Sequence, residues 1–163
     1  VTGCSRVDST SEVLGNGQSL NQWGYIPGER VVSPSYETLI EFLHNFVVYF
    51  EEDDTDALMG LYYLEGTQQL LIDMGRDIIE DHFDLDIERI DLRSLTTTEN
   101  NVYTEGYPYE GQRLVPTYFP DGVMRVHFDE STQDPGGWIT HWSEFIYAKV
   151  GRRYFLITSK LVD

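Results

Sequence analysis

At 163 residues the chain is long enough for one domain with a real core, and its 40% hydrophobic content is that of an ordinary globular protein. Its 28 Asp and Glu face only 11 Lys and Arg, and the formal charge of -17 argues against nucleic acid and against adsorption to anionic membranes. A single cysteine, Cys4, excludes an internal disulfide and a cysteine-rich metal site, and no apolar run is long enough to span a membrane.

The acid excess has two readings, a solubilising surface or a docking face for a basic partner. Along the chain, residues 5 to 22 are mostly Ser, Thr, Gly, Asn, Gln and Asp. Few apolar side chains are available to offset the entropy of ordering them, so residues 1–32 are expected to be a flexible tether before a domain over 33–163. Trp23, Tyr25 and Ile26, ahead of a Pro27-Gly28 turn, are where the chain is expected first to touch the body. The opening Val1-Thr2-Gly3-Cys4 resembles the lipobox of bacterial lipoproteins, in which the cysteine is acylated. That resemblance makes Cys4 the candidate lipidation site. It implies an extracytoplasmic protein, periplasmic or on the outer surface, tied to the membrane only through that lipid.

Ser33-Pro34 predicts a helix start, with Ser as N-cap, Pro at the first helical position and Glu37 in the first turn. Tyr36, Leu39, Ile40, Leu43, Phe46, Val47 and Phe50 follow at helical spacing on one face. The acidic run Glu51 to Asp56 lacks the glycine and Asp alternation of a calcium loop. Capping by Asp54 or Thr55 of a second helix, ending near Glu65-Gly66, explains it without metal. A third helix, about Thr67 to His82, should gather Leu70, Leu71, Met74, Ile78 and Ile79 on its inner side, with Gly75 marking close packing.

From Leu85 onward apolar residues alternate instead. Leu85, Ile87, Ile90 and Leu92 predict a strand with an irregularity near Glu88-Arg89. Thr96 to Asn101 reads as a polar loop, followed by a strand around Gln112 to Phe119. Pro120-Asp121-Gly122 predicts a hairpin into Val123–Phe128, with Met124, Val126 and Phe128 sharing one face. The turn Asp134 to Gly137 leads to a strand over Trp138 to Val150, and Gly151 turns the chain into Arg153 to Ser159. Helices first and strands afterwards predict an α+β domain, its helices packed on one face of an antiparallel sheet.

Over Ser33 to Lys160 the chain resembles the NTF2-like, or cystatin-like, superfamily, and in particular its bacterial secreted or lipid-anchored members. The carriers are the first helix running into Phe50 to Leu58, the helical pair before the strands, and the closing hairpin Glu144 to Ile157. No evident strand follows the second helix, a departure from the pattern of the superfamily's enzymes. The resemblance implies a strongly bent sheet cupping the long helix into a cone. It also implies one of three uses: a ketosteroid-isomerase or polyketide-cyclase type site, a small-ligand pocket, or a filled cone in a protein that only binds partners. Dimers or larger assemblies are common in the superfamily.

An isomerase or cyclase needs an acid or histidine held in an apolar cavity, and His127, His141 and Glu144 are the catalytic candidates. His141 and Glu144 point to opposite faces of a strand, whereas His127 and His141 could face each other across neighbouring strands. His44 and His82 sit on helices, and the four histidines lack any short ligand spacing, so no metal and no cofactor is implied. The sequence carries no nucleophile elbow or phosphate loop. Tyr103, Tyr107, Tyr109, Tyr118 and Phe119, interleaved with Pro108, Pro116 and Pro120, are the candidate binding residues. The leading expectation is a non-catalytic domain of the cell envelope engaging a protein or small ligand. The competing one is an acid–base enzyme acting on an apolar small molecule.

Overall fold

The computed structural model describes residues 6–13, 19–26, 38–129 and 142–163. Helix α1 (Leu39–Glu51) is capped by Thr38, whose hydroxyl accepts from the Glu41 backbone N–H while the Glu41 carboxylate accepts from the Thr38 N–H. The expected Ser33-Pro34 cap, with Tyr36 and Glu37, lies outside the described residues. Phe42, Leu43, Phe46, Val47 and Phe50 are buried, as their spacing demands. Asn45 is buried with them, and its amide nitrogen has no hydrogen-bond partner.

The chain reverses at Asp53, which takes a positive φ of 53°, and enters α2 (Thr55–Met59). Asp54 Oδ1 caps it by accepting from the Ala57 N–H at 3.0 Å, so capping accounts for this carboxylate of the acidic run. The helix is shorter than expected, because Gly60 ends it and the next residues are claimed by a sheet. β3 (Tyr62–Tyr63) pairs parallel with β9 (Arg153–Ile157), and the Leu156 N–H donates to Leu61 O. A strand thus does follow the second helix.

α3 (Gln69–Glu80) buries only Ile79 fully. Leu70, Met74 and Ile78, expected inside, are exposed, and a Cβ on Gly75 would meet nothing within 4 Å. Gly75 marks no close packing.

The larger sheet has the order β1 (Arg6–Val13), β2 (Ser19–Ile26), β4 (Ile87–Arg93), β7 (Gly122–Phe128), β8 (Trp142–Val150), β9, β3. All neighbours except β9 and β3 are antiparallel. β1 and β2 occupy the stretch expected to be a tether, so the sheet crosses the boundary drawn at residue 33. Composition misled here because a strand added at a sheet edge is ordered by ladder hydrogen bonds to a neighbour already in place. Tyr25, by contrast, joins the body as expected and is fully buried. The Pro27-Gly28 turn lies outside the described residues.

β4 carries the expected irregularity, a register shift between Ile87 and Arg89. Ile90, Leu92, Met124, Val126 and Phe128 form the core face beneath α1. Phe46 meets Phe145 at 5.7 Å, Phe50 meets Phe128 at 5.9 Å, and Phe42 meets Tyr154 at 6.3 Å between ring centres. Rings therefore occupy the space between α1 and strands β7 to β9.

A second, three-stranded sheet has the order β10 (Ser159–Val162), β6 (Gln112–Pro116), β5 (Tyr107–Tyr109). Glu110 and Gly111 both take positive φ and make the two-residue turn between β5 and β6. β6 does not pair across Pro120-Asp121-Gly122 with β7, as the turn chemistry suggested, because β10 has taken that edge. Asp121 instead ties the turn to β8, accepting from the Lys149 N–H at 2.7 Å. At the junction of the two sheets, the Thr117 and Thr158 hydroxyls both donate to Tyr63 O. The fold is α+β, as the rhythm of the sequence predicts. The Asp134 to Gly137 turn and Trp138 to His141 lie outside the described residues.

Candidate functional site

Alternation along the strands puts Arg93, Arg125 and Glu144 on the face opposite the α1 core. Arg93 lies beside Val123, and Arg125 is directly opposite Glu144. After β4 the chain turns back over this face as α4 (Thr97–Glu105), where a polar loop was expected. The missed signal is Thr96-Thr97-Thr98-Glu99, a capping box in which Thr96 Oγ1 accepts from the Glu99 N–H and Glu99 accepts from the Thr96 N–H.

Glu99 has a second task. Its two carboxylate oxygens accept from Arg93 at 2.6 and 3.0 Å, a forked pair that fastens α4 to the sheet. The same guanidinium donates to Glu144 at 3.0 Å, and Glu144 takes a further bond from Arg125 at 3.3 Å. Arg125 in turn lies 4.0 Å from the ring centre of Trp142. Burial opposes charge on Glu99, but the Arg93 bonds and the Thr96 N–H outweigh it and hold the carboxyl below the usual range. The Glu99 bond correspondingly raises the Arg93 pKa.

Beside this network lies a cleft of about 350 Å³. Val123, Phe145, Ile146 and Ile157 supply apolar lining, and Tyr62, Tyr103, Glu99, Glu144 and Ser159 supply polar groups. Burial pushes the Tyr62 phenol well above its ordinary pKa. Tyr103 is raised by burial and then by the charge of Glu99. Both phenols stay neutral donors across the physiological range, while the Glu99 carboxylate stays an ionised acceptor. Such a site can hold an apolar body and hydrogen-bond a polar head.

Of the catalytic candidates, Glu144 lines the cleft but is paired with two arginines. His127 bonds Asp91 Oδ2 through Nε2 at 2.7 Å and sits opposite Trp142. His141 lies outside the described residues, as does Cys4. His44 faces the Tyr25 hydroxyl at 3.3 Å, and His82 Nε2 lies 3.0 Å from Ser143 Oγ. Among the described residues no group of three His, Cys, Asp or Glu is placed to hold a metal ion.

The aromatic candidates are spread out. Tyr103 lines the cleft, Tyr107 and Tyr109 are exposed on β5, and Tyr118 and Phe119 are exposed beyond β6. Tyr118 stands edge-on to Tyr63 at 5.8 Å, and no ring pair among the described residues joins two of the five. Protein-family models, curated proteins and solved structures were compared with the chain, and none matches it. The cleft therefore has to be read from its own chemistry. Arg93 and Tyr62 were not singled out in the sequence, and each acquires its place through strand pairing, Arg93 beside Val123 and Tyr62 beside Leu156.

Proposed function

We propose that the chain is a non-catalytic NTF2-like binding domain of the bacterial cell envelope, anchored through a lipid on Cys4, that takes a small ligand in the cleft beside α4. The kinship is supported by the order of α1, α2, β3 and α3 ahead of β4, β7, β8 and β9, and by the short strand that the superfamily's enzymes carry after the second helix. On this reading the sheet bends around α1, and the cone beneath it is closed by Phe42, Phe46, Phe50 and their partners.

One observation carries the preference for binding over catalysis: Arg93 sits between Glu99 and Glu144 and bonds both. Both carboxylates are thereby well-oriented acceptors, and Glu99, its carboxyl held below the usual range, is a poor general acid or base near neutral pH. The ligand that fits is neutral, with an apolar body and at least one hydrogen-bonding group.

The test is a panel of neutral aromatic alcohols and amides screened by saturation-transfer NMR against the wild type and Ile146→Trp, which fills the cleft. Binding that disappears in Ile146→Trp, with circular dichroism unchanged, is the expected result. Equal binding by both proteins would remove the cleft from consideration. Turnover of a ligand that stops in Glu144→Gln would establish the enzyme instead. Anchoring is tested separately, by incorporation of a palmitate analogue when the chain is expressed behind a bacterial lipoprotein signal peptide. Label should appear in the wild type and be absent from Cys4→Ser.

A further inference from the structure

On α3, Leu70, Met74 and Ile78 follow one another at four-residue spacing and therefore form one stripe. They are 64%, 45% and 53% exposed, while the same helix buries Ile79 on its other side. Three aligned large apolar side chains left in water on a regular helix make an interaction surface rather than scattered exposure.

The charge around the stripe says what covers it. Asp73 and Asp77 flank it along one side and Asp81 stands at its end. The one cation of the helix, Arg76, is turned away to Asp56 at 3.0 Å. Among the described residues no Lys or Arg pairs with Asp73, Asp77 or Asp81. A second copy is a poor occupant. A two-fold contact through this stripe would bring the same acids of two chains, each of net charge -17, towards one another.

We propose that this face of α3 docks a basic amphipathic helix of a partner protein, whose apolar residues cover Leu70, Met74 and Ile78 while its Lys or Arg meet Asp73, Asp77 and Asp81. This is the helix-on-helix mode, with anchors one turn apart and a charged margin that sets orientation and on-rate. It is independent of the cleft, which lies against α4.

The test uses a labelled Leu/Lys peptide patterned with leucines one turn apart, beside a scrambled peptide of the same composition. Fluorescence anisotropy should show the patterned peptide binding about tenfold more tightly than the scrambled one, with Met74→Gln removing that advantage. Asp77→Asn with Asp81→Asn should weaken binding and flatten its dependence on salt. Equal binding of the two peptides, or indifference to Met74→Gln, overturns the proposal. So does a wild-type homodimer in sedimentation that Met74→Gln dissociates, since a second copy would then own the stripe. All three substitutions are on the surface, and circular dichroism checks that each variant is folded.

Discussion

Helices α1 and α3 carry the same kind of apolar rhythm in sequence and meet opposite fates. α1 lies across β7, β8 and β9 and buries Phe42, Phe46 and Phe50 against their rings. α3 sinks Ile79 into the core and leaves Leu70, Met74 and Ile78 in water. An amphipathic period states that a face is apolar. It does not state what covers that face, because coverage depends on elements distant in the chain. In α1 the stripe contributes to stability, and in α3 it is available for a partner.

The largest expected effect tests that contrast directly. Phe46→Ala should cost about 3–5 kcal/mol, the range for emptying a packed aromatic site. Met74→Ala should stay within about 0.5 kcal/mol, as exposed substitutions do. Urea denaturation of both variants measures the gap, and similar losses would mean that α3 is covered in the isolated protein.

The opposite face of the sheet is held by charge rather than by rings, and its expected effects are intermediate. The Arg93 side chain is largely buried, and its removal leaves Glu99 without a cation and Glu144 with Arg125 alone. Arg93→Met should therefore cost about 2 kcal/mol, between the ≤1 of exposed pairs and the 3–5 of buried ones. The pH dependence has a definite sign. Because the folded pKa of Glu99 is depressed, its contribution is complete above the unfolded value of about 4.3. It is lost as pH falls through the lower, folded value. Thermal unfolding between neutral pH and the acid range should show a shallower acid limb in Glu99→Gln than in the wild type. Parallel limbs would break the assignment.

The smallest effect returns to α3. With nothing near its missing side chain, Gly75→Ala should stabilise by about 0.5–1 kcal/mol through helix propensity alone, read as a rise in Tm. A fall would reveal a neighbour seated on that flank.

Much of the architecture was legible locally. The face of α1, the Asp54 cap, the register shift in β4, the inner row Met124, Val126 and Phe128, and the turn at Gly151 all follow from spacing and residue chemistry within a few positions. The α4 capping box was equally local, but the polar composition of Thr96 to Asn101 hid it. The candidate site was barely legible. Glu144 and Tyr103 were singled out, yet Arg93, Glu99 and Tyr62 were not, and nothing in sequence joined the five.

Periodicity, caps and tight turns are short-range, so the chain alone specified an α+β body with an apolar first helix and an alternating second half. Which strands pair is a long-range matter. Folding alone sent β6 to β10 instead of β7, drew β1 and β2 to the sheet edge, and cut α2 short for β3. The meeting of Arg93 with Glu144 depends on the pairing of β4 with β7 and of β7 with β8, because hydrogen-bond reach is about 3 Å and only the assembled sheet brings residues 51 positions apart to that distance.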